Sequence, residues 1–332
     1  MSGDQGVPVR QSELTFTGPA TFFKAPLVAR TGAGETLFDA AFLGVPFDFA
    51  VGFRPGARFA PAAVRQATGR YALPPEGYYD FAGDRRRLVG VRLADAGDVD
   101  PNQLEHADTR SRITAAARAV RRLARLPLFV GGDHSISYPL LEAFDDLQGL
   151  CVVQLDAHLD FSDARNGTRF SNSSPFRRAA EALPSLGRVT TIGLRGMRAD
   201  AEAFGAARAR GHVLVSAQQV HADLEGVLAE LPVGADVYLS IDVDVLDPAE
   251  LPGTSSPEPD GLGFSQVLAL IRATASRNRL VGVDLTELSP PLDPSGRSEL
   301  LAARLLAETL AAWWESPSAS LPAVSPGPER PS

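Results

Sequence analysis

The 332-residue chain predicts an α/β domain built on a parallel sheet, and three observations carry that reading. Short apolar runs rich in β-branched residues alternate with longer stretches of helical periodicity rich in Ala, Arg and Leu. Neither an internal repeat nor a Pro/Gly-rich linker interrupts the alternation, so one domain explains it better than two. Each acidic motif directly follows an apolar run, and open parallel sheets bind ligands outside the carboxyl ends of their strands.

Taken in order, strands are expected at residues 38–45 (FDAAFLGV), 127–130, 151–155, 189–193, 212–215, 237–241 and 280–284. Helices are expected at 109–124, 139–144, 175–182, 199–209, 218–231, 265–275 and 298–314. Four of the strands run into polar motifs: LPLFV into GGDHS, LCVVQL into DAHLD, VYLSI into DVD, and LVGVDL into TEL. Their acidic groups therefore point to one shared site. Residues 1–35 lack clear periodicity and read as an N-terminal extension, 36–314 as the catalytic domain. The stretch 315–332, ESPSASLPAVSPGPERPS, has the Pro/Ser-rich composition of a disordered tail.

Composition excludes several partners. A net charge of -8 speaks against nucleic acid and anionic membranes, which select for basic patches, and would suit a cationic substrate as well as solubility. The one cysteine, Cys151, rules out an internal disulfide framework and fits a reducing compartment. MSGDQGVPVR has no apolar stretch of a secretory signal and no run of about 18 apolar residues follows it, so the cytoplasm is the expected location.

Within DAHLD, Asp156, His158 and Asp160 stand at i, i+2 and i+4, and an extended segment would present all three on one face. Asp242 and Asp244 in SIDVDVLDP repeat the spacing, and His134 in GGDHS adds a second imidazole. Carboxylates held so close repel, and burying them unpaired costs several kcal/mol each. Two divalent cations would cancel the charge of four Asp residues. The donor set is hard and oxygen-rich, which suits Mn²⁺, with Zn²⁺, Ni²⁺, Co²⁺ and Fe²⁺ left open. Two such ions a few ångströms apart would depress the pKa of a shared water from about 16 toward neutrality, supplying a nucleophile without serine or cysteine. His106, His212 and His221 stand in polar or helix-boundary contexts without acidic clustering and read as surface residues.

GGDHS, DAHLD and SIDVDVLDP, with RPGARFAPAAVR at 54–65 and DAGDV at 95–99, resemble the ureohydrolases, the group of arginase and agmatinase. SPFRRA at 174–179, TIGLRG at 191–196 and PGTSSPEPDGL at 252–262 are similar to the agmatinase branch. The resemblance implies a three-layer α/β/α sandwich with a mostly parallel sheet, two Mn²⁺ per subunit, and a homotrimer or homohexamer. It implies that His134 and Asp160 bind one metal and His158 the other, with Asp156, Asp242 and Asp244 completing and bridging the pair. Asp160 would also pass a proton to the leaving amine. Glu287 in DLTELSP matches the acidic residue that grips the guanidinium, and a planar, permanently charged guanidinium is met best by a bidentate carboxylate.

One departure stands out. Where most of the family has His-Gly-Thr before PFRR, this chain has Asn172, Ser173 and Ser174. Asn172 cannot titrate, so it would either hydrogen-bond substrate or serve as a turn residue. The expected reaction is agmatine plus water to putrescine plus urea. Guanidinobutyrate is the nearest rival substrate, because Arg165, Arg169 and Asn172 in the loop 163–174 could receive a carboxylate. A non-catalytic regulatory homologue and a deacetylase on a similar fold are the other readings. The full set of six ligands weighs against both.

Overall fold

The computed structural model describes residues 17–29, 38–198 and 200–320. Its strands are β1 (Phe38–Gly44), β2 (Tyr78–Asp80), β3 (Arg85–Arg87), β4 (Leu93–Asp98), β5 (Ala124–Val130), β6 (Leu150–Leu155), β7 (Leu186–Leu194), β8 (Val213–Ser216), β9 (Asp236–Asp242) and β10 (Arg279–Thr286). Its helices are α1 (Ala60–Thr68), α2 (His106–Leu123), α3 (Ser137–Glu142), α4 (Pro175–Ala182), α5 (Ala201–Ala209), α6 (Ala217–Ala222), α7 (Leu224–Glu230), α8 (Phe264–Arg277) and α9 (Arg297–Trp314).

Eight strands form one sheet in the order β4-β1-β5-β10-β9-β6-β7-β8, and every pairing in it is parallel. Side chains alternate between the faces with period two. Leu126, Leu128 and Val130 of β5 pack with α1 and α6–α9, while Phe129 packs on the opposite side with α2–α5. Helices on both faces bury the central strands almost throughout, which explains their near-continuous apolar runs. The three-layer sandwich expected from the resemblance is the observed architecture. Strands β9 and β10 insert between β5 and β6, so the chain's two directions of travel diverge there. Such a switch point opens a crevice at the carboxyl ends, and the four polar motifs meet in it.

Several elements depart from the sequence expectation. Helix α1 begins inside RPGARFAPAAVR and runs past it, with Pro61 in its first turn and Val64 and Thr68 buried. Strand β4, sequence LADAGD, has weak strand propensity and forms because β1 pairs with it. The antiparallel β2-β3 hairpin, rich in Arg and Tyr, was likewise not expected. The single helix at 218–231 is two: Asp223 ends α6 and its carboxylate accepts from the Gly226 N–H to start α7.

The packed unit also extends past 36–314. Phe22 and Phe23 are buried, and Phe22 stacks on Phe42 with ring centroids 4.7 Å apart. At the other end Glu315 pairs with Arg85 and Arg87, and Ala319 is buried in a 3₁₀ turn at Pro317–Ser320. A single turn with one buried alanine is too short to show in a Pro/Ser-rich composition. Residues 1–16 and 30–35 of the expected extension, 36–37 of the expected domain and 321–332 of the expected tail lie outside the described residues. His212, read as a surface residue, is buried: its Nδ1 accepts from the Val189 N–H at 3.0 Å and its ring meets Phe161 edge-on. Burial and then Arg210 push its pKa down to about 4.

The motifs RPGARFAPAAVR and DAGDV meet in one ion pair. Arg65 grips Asp95 with two hydrogen bonds of 2.8 and 2.9 Å and reaches Asp98 at 2.7 Å. Asp95 is wholly buried and also accepts from the Phe22 and Gly97 N–H groups. Arg65→Met would leave that carboxylate buried without its cation. We expect it to destabilise the fold by about 3–5 kcal/mol, read by urea denaturation, whereas an exposed pair such as Arg112–Asp108 should move stability by under about 1 kcal/mol.

Candidate metal centre

Each site residue stands at or just beyond the carboxyl end of a central strand. After β5, Gly131 and Gly132 turn the chain with φ of 118° and 65°, and a Cβ on Gly132 would lie 2.4 Å from the Phe47 carbonyl oxygen. That turn delivers His134 at the head of a 3₁₀ turn. Asp156 follows β6, Asp242 ends β9 with Asp244 two residues on, and Glu287 follows β10. Asp160 and Glu287 both adopt left-handed backbone, φ 50° and 62°, which is costly for residues with a Cβ. Strain of this kind persists where the surroundings over-determine it, most often at functional sites.

The six predicted ligands form two overlapping groups whose donor atoms lie within 4.8 Å of one another: His134, Asp156, Asp160 and Asp242; and Asp156, His158 and Asp244. His134 Nδ1 is 3.1 Å from Asp156 Oδ2, 3.0 Å from Asp160 Oδ2 and 3.2 Å from Asp242 Oδ2. His158 Nδ1 is 3.0 Å from Asp244 Oδ2 and 3.6 Å from Asp156 Oδ1. Asp156 thus turns one oxygen to each group and joins them.

The tautomer of His134 tests whether cations fit. Its Nε2 lies 2.9 Å from Ser240 Oγ, and that hydroxyl donates to Asp284 at 2.6 Å. The hydroxyl proton being committed, Ser240 accepts from Nε2–H, and Nδ1 is left as a bare lone pair. Nδ1 is buried without a hydrogen-bond partner and faces three carboxylates. A lone pair opposed to three anions is repulsive, and a cation between them removes the conflict.

Electrostatics agree. Burial, then Asp244 and Asp156, push Asp242 far up, and burial and Asp156 raise Asp160. Burial opposes protonation of His134, yet Asp156, Asp160 and Asp242 outweigh it and raise its pKa. The bare site therefore holds charges it cannot balance without taking up protons, and divalent cations compete for those same atoms. Chelation of a metal-loaded preparation should lower its melting temperature by about 5–10 °C, as loss of a ligand bound only by the folded state does, and a melting curve indifferent to chelator would count against the centre.

Glu287 and Asn172 meet beside these groups. Glu287 Oε1 accepts from the His134 N–H at 2.9 Å and from Asn172 Nδ2 at 3.1 Å, and Oε2 accepts from Ser255 Oγ at 2.8 Å. Asn172 also sits in a turn closed by the Ser174 N–H on the Ser171 carbonyl, the second of the two roles weighed for it. Asp133, before His134, is buried and pushed up to about 7 by burial and then Glu287. Its carboxylate accepts from the Ala50 N–H at 2.8 Å and from Ser135.

Five supporting residues escaped the sequence reading. Gln154 donates to Asp156 at 2.6 Å and is itself held by Thr191. Ser255 and the Ser240–Asp284 pair act as above. Arg195 of TIGLRG gathers the carbonyls of Asp244, Leu246 and Glu258, fixing the loops after β9. A polar residue inside an apolar strand, as in LCVVQL, was the available signal for Gln154. Arg169, one of the residues considered for a substrate carboxylate, is instead paired with Asp163 and Glu181.

A cavity of about 340 Å³ opens over the centre, with Asp160, Asp242, Asp244 and Glu287 in its wall. Among the described residues no helix is long and apolar enough to cross a membrane.

Two joined His/carboxylate groups in the crevice of a doubly covered parallel sheet define the class of protein, a hydrolase built around a binuclear metal site. The chain belongs to the arginase family, whose model matches residues 38–312, and is an amidinohydrolase. It is 37% identical over 301 residues to the guanidinobutyrase of Pseudomonas aeruginosa, covering 89% of this chain and 92% of that one. It is 36% identical over 278 residues to a mitochondrial agmatinase of Gallus gallus, covering 82% and 80%. Proclavaminate amidino hydrolase from Streptomyces clavuligerus has a similar structure, with TM-score 0.76 and 29% identity over 90% of this chain and 98% of that one.

Proposed function

We propose that the chain hydrolyses the terminal guanidino group of a small substrate to urea and an amine. The observation that carries this reading is the placement of Glu287, a buried carboxylate aimed into the cavity beside the metal-ligand groups. His134, Asp156, Asp160 and Asp242 would hold one divalent cation and Asp156, His158 and Asp244 a second, Mn²⁺ by the hardness of the donor set. When bound, the pair supplies electrophilic activation of water at neutral pH.

The residues of the chain do the rest. Glu287 receives the N–H groups of the guanidinium and fixes its plane, while Asn172 and Ser255 keep the carboxylate from rotating. Water oxygen adds to the guanidino carbon, the bond to the alkylated nitrogen breaks, and Asp160 carries a proton to that nitrogen as it leaves as an amine. No titrating side chain stands at position 172, so proton movement rests on Asp160 and solvent.

Agmatine, giving putrescine and urea, is the substrate expected from the sequence, and the agmatinase relative supports it. The guanidinobutyrase relative supports the acid instead. Urea release from agmatine, arginine and 4-guanidinobutyrate, assayed side by side on the Mn²⁺-loaded protein, tests the reaction. Release from at least one is expected, and none from any guanidino compound would sink the reading.

A further inference from the structure

The cavity wall carries three kinds of surface. Asp160, Asp242, Asp244 and Glu287 are acidic, Phe53, Leu194, Phe204 and Leu214 are apolar, and Arg165, Arg198 and Arg208 are basic. Among the described residues none of these three arginines has an ion pair or a side-chain hydrogen bond; the Arg208 guanidinium lies 5.8 Å from the Phe204 ring centroid. Most other described arginines are paired, Arg169, Arg177 and Arg178 among them. Asp200, also in the wall, caps α5 by accepting from the Glu202 N–H.

Topology orders these groups. Asp156 follows β6, Arg198 follows the neighbouring β7, and Arg208 lies on α5, between β7 and β8. Arg198 thus lies in the loop that leaves the strand next to the one before Asp156. Arg165 lies in the loop that leaves Asp160.

From acidic, apolar and unpaired basic surfaces in one cavity we infer that the substrate is a short ω-guanidino carboxylate, its carboxylate received by Arg165 and Arg198. The inference rests on the amidinohydrolase reading above. A guanidinium at Glu287, a few methylenes on Phe53 and Phe204, and a terminal carboxylate match the three surfaces. Agmatine would bring an ammonium to the arginines, where like charges repel. Arg208, in the same wall, adds to the positive field that draws in an anion.

The test compares kcat/KM for 3-guanidinopropionate, 4-guanidinobutyrate and agmatine in the Mn²⁺-loaded protein, its Arg165→Gln/Arg198→Gln variant and Arg198→Glu. The wild type should prefer one of the acids to agmatine by about tenfold or more. The double variant should lower kcat/KM for that acid by about 10–100-fold, mainly through KM, and raise that for agmatine. Arg198→Glu should reverse the preference. Neither side chain makes an ion pair or hydrogen bond among the described residues, so a nearly unchanged melting temperature should accompany these effects. In metal-free protein, where no turnover occurs, calorimetry should show 4-guanidinobutyrate binding weakened by the double variant. Preference for agmatine in the wild type, or an acid preference indifferent to both arginines, overturns the inference and leaves the amidinohydrolase standing. Urea from none of the three overturns both.

Discussion

Glu287→Gln is expected to lower kcat/KM for any guanidino substrate by about 10²–10³-fold while leaving the metal content at two per chain. The carboxylate belongs to neither ligand group, so its loss removes the counter-charge of the guanidinium and nothing else of the centre. The substitution is also structurally mild. An amide can keep its oxygen toward the His134 N–H and Asn172 Nδ2 and present its nitrogen to Ser255 Oγ, which can accept. Steady-state kinetics together with metal analysis of the same preparation check this. Retained activity would show that the guanidinium is held elsewhere.

Asp156→Asn should have an equally large effect by a different route. Asp156 turns Oδ2 to the His134 group and Oδ1 to the His158 group, so one substitution weakens both. The neutral amide is a poor bridging ligand, and one end of it would set N–H against a cation or against His158. Metal content should fall from two per chain to one or fewer, with activity down by at least about 100-fold. The metal-free variant should also melt lower than the metal-free wild type: burial opposes the Asp156 anion, yet His134 and His158 outweigh it and hold its pKa below the usual carboxylate range, so the ionised carboxylate stabilises the fold. Asp156→Asn with two metals bound would contradict the shared-ligand geometry.

Legibility in the sequence followed spacing. Asp156, His158 and Asp160 could be read as one face because i, i+2, i+4 in an extended segment fixes direction without knowledge of the fold. Glu287 needed a resemblance as well, since one acid after a strand is common. Which carboxylate joins the two groups depended on side-chain rotamers and loop paths that no spacing rule encodes. Gln154, Ser240 and Ser255 act through distance in space, and each looks ordinary in its own segment. The fold shows the same division. Strands with long apolar runs were legible, whereas β4 forms only because β1 offers it an edge, and the break at Asp223 turned on one capping hydrogen bond. Arg65 is conspicuous in neither motif that it joins until helix α1 brings it against Asp95.

The left-handed backbone at Asp160 and Glu287 connects fold to chemistry. Neither residue is Gly or Asn, and the two flank the cavity from strands β6 and β10. The strain is held in place by the interactions that aim the carboxylates, the Gly132 carbonyl accepting from the Glu287 N–H among them.

Two ligand groups joined by Asp156 should work as one binuclear amidinohydrolase centre. Mn²⁺ titrated into metal-free protein, with urea release from 4-guanidinobutyrate and agmatine followed throughout, puts that to the test. Activity is expected to rise to a plateau at two equivalents per chain. A plateau at one equivalent, or no urea at any loading, would mean that the two groups do not form such a centre.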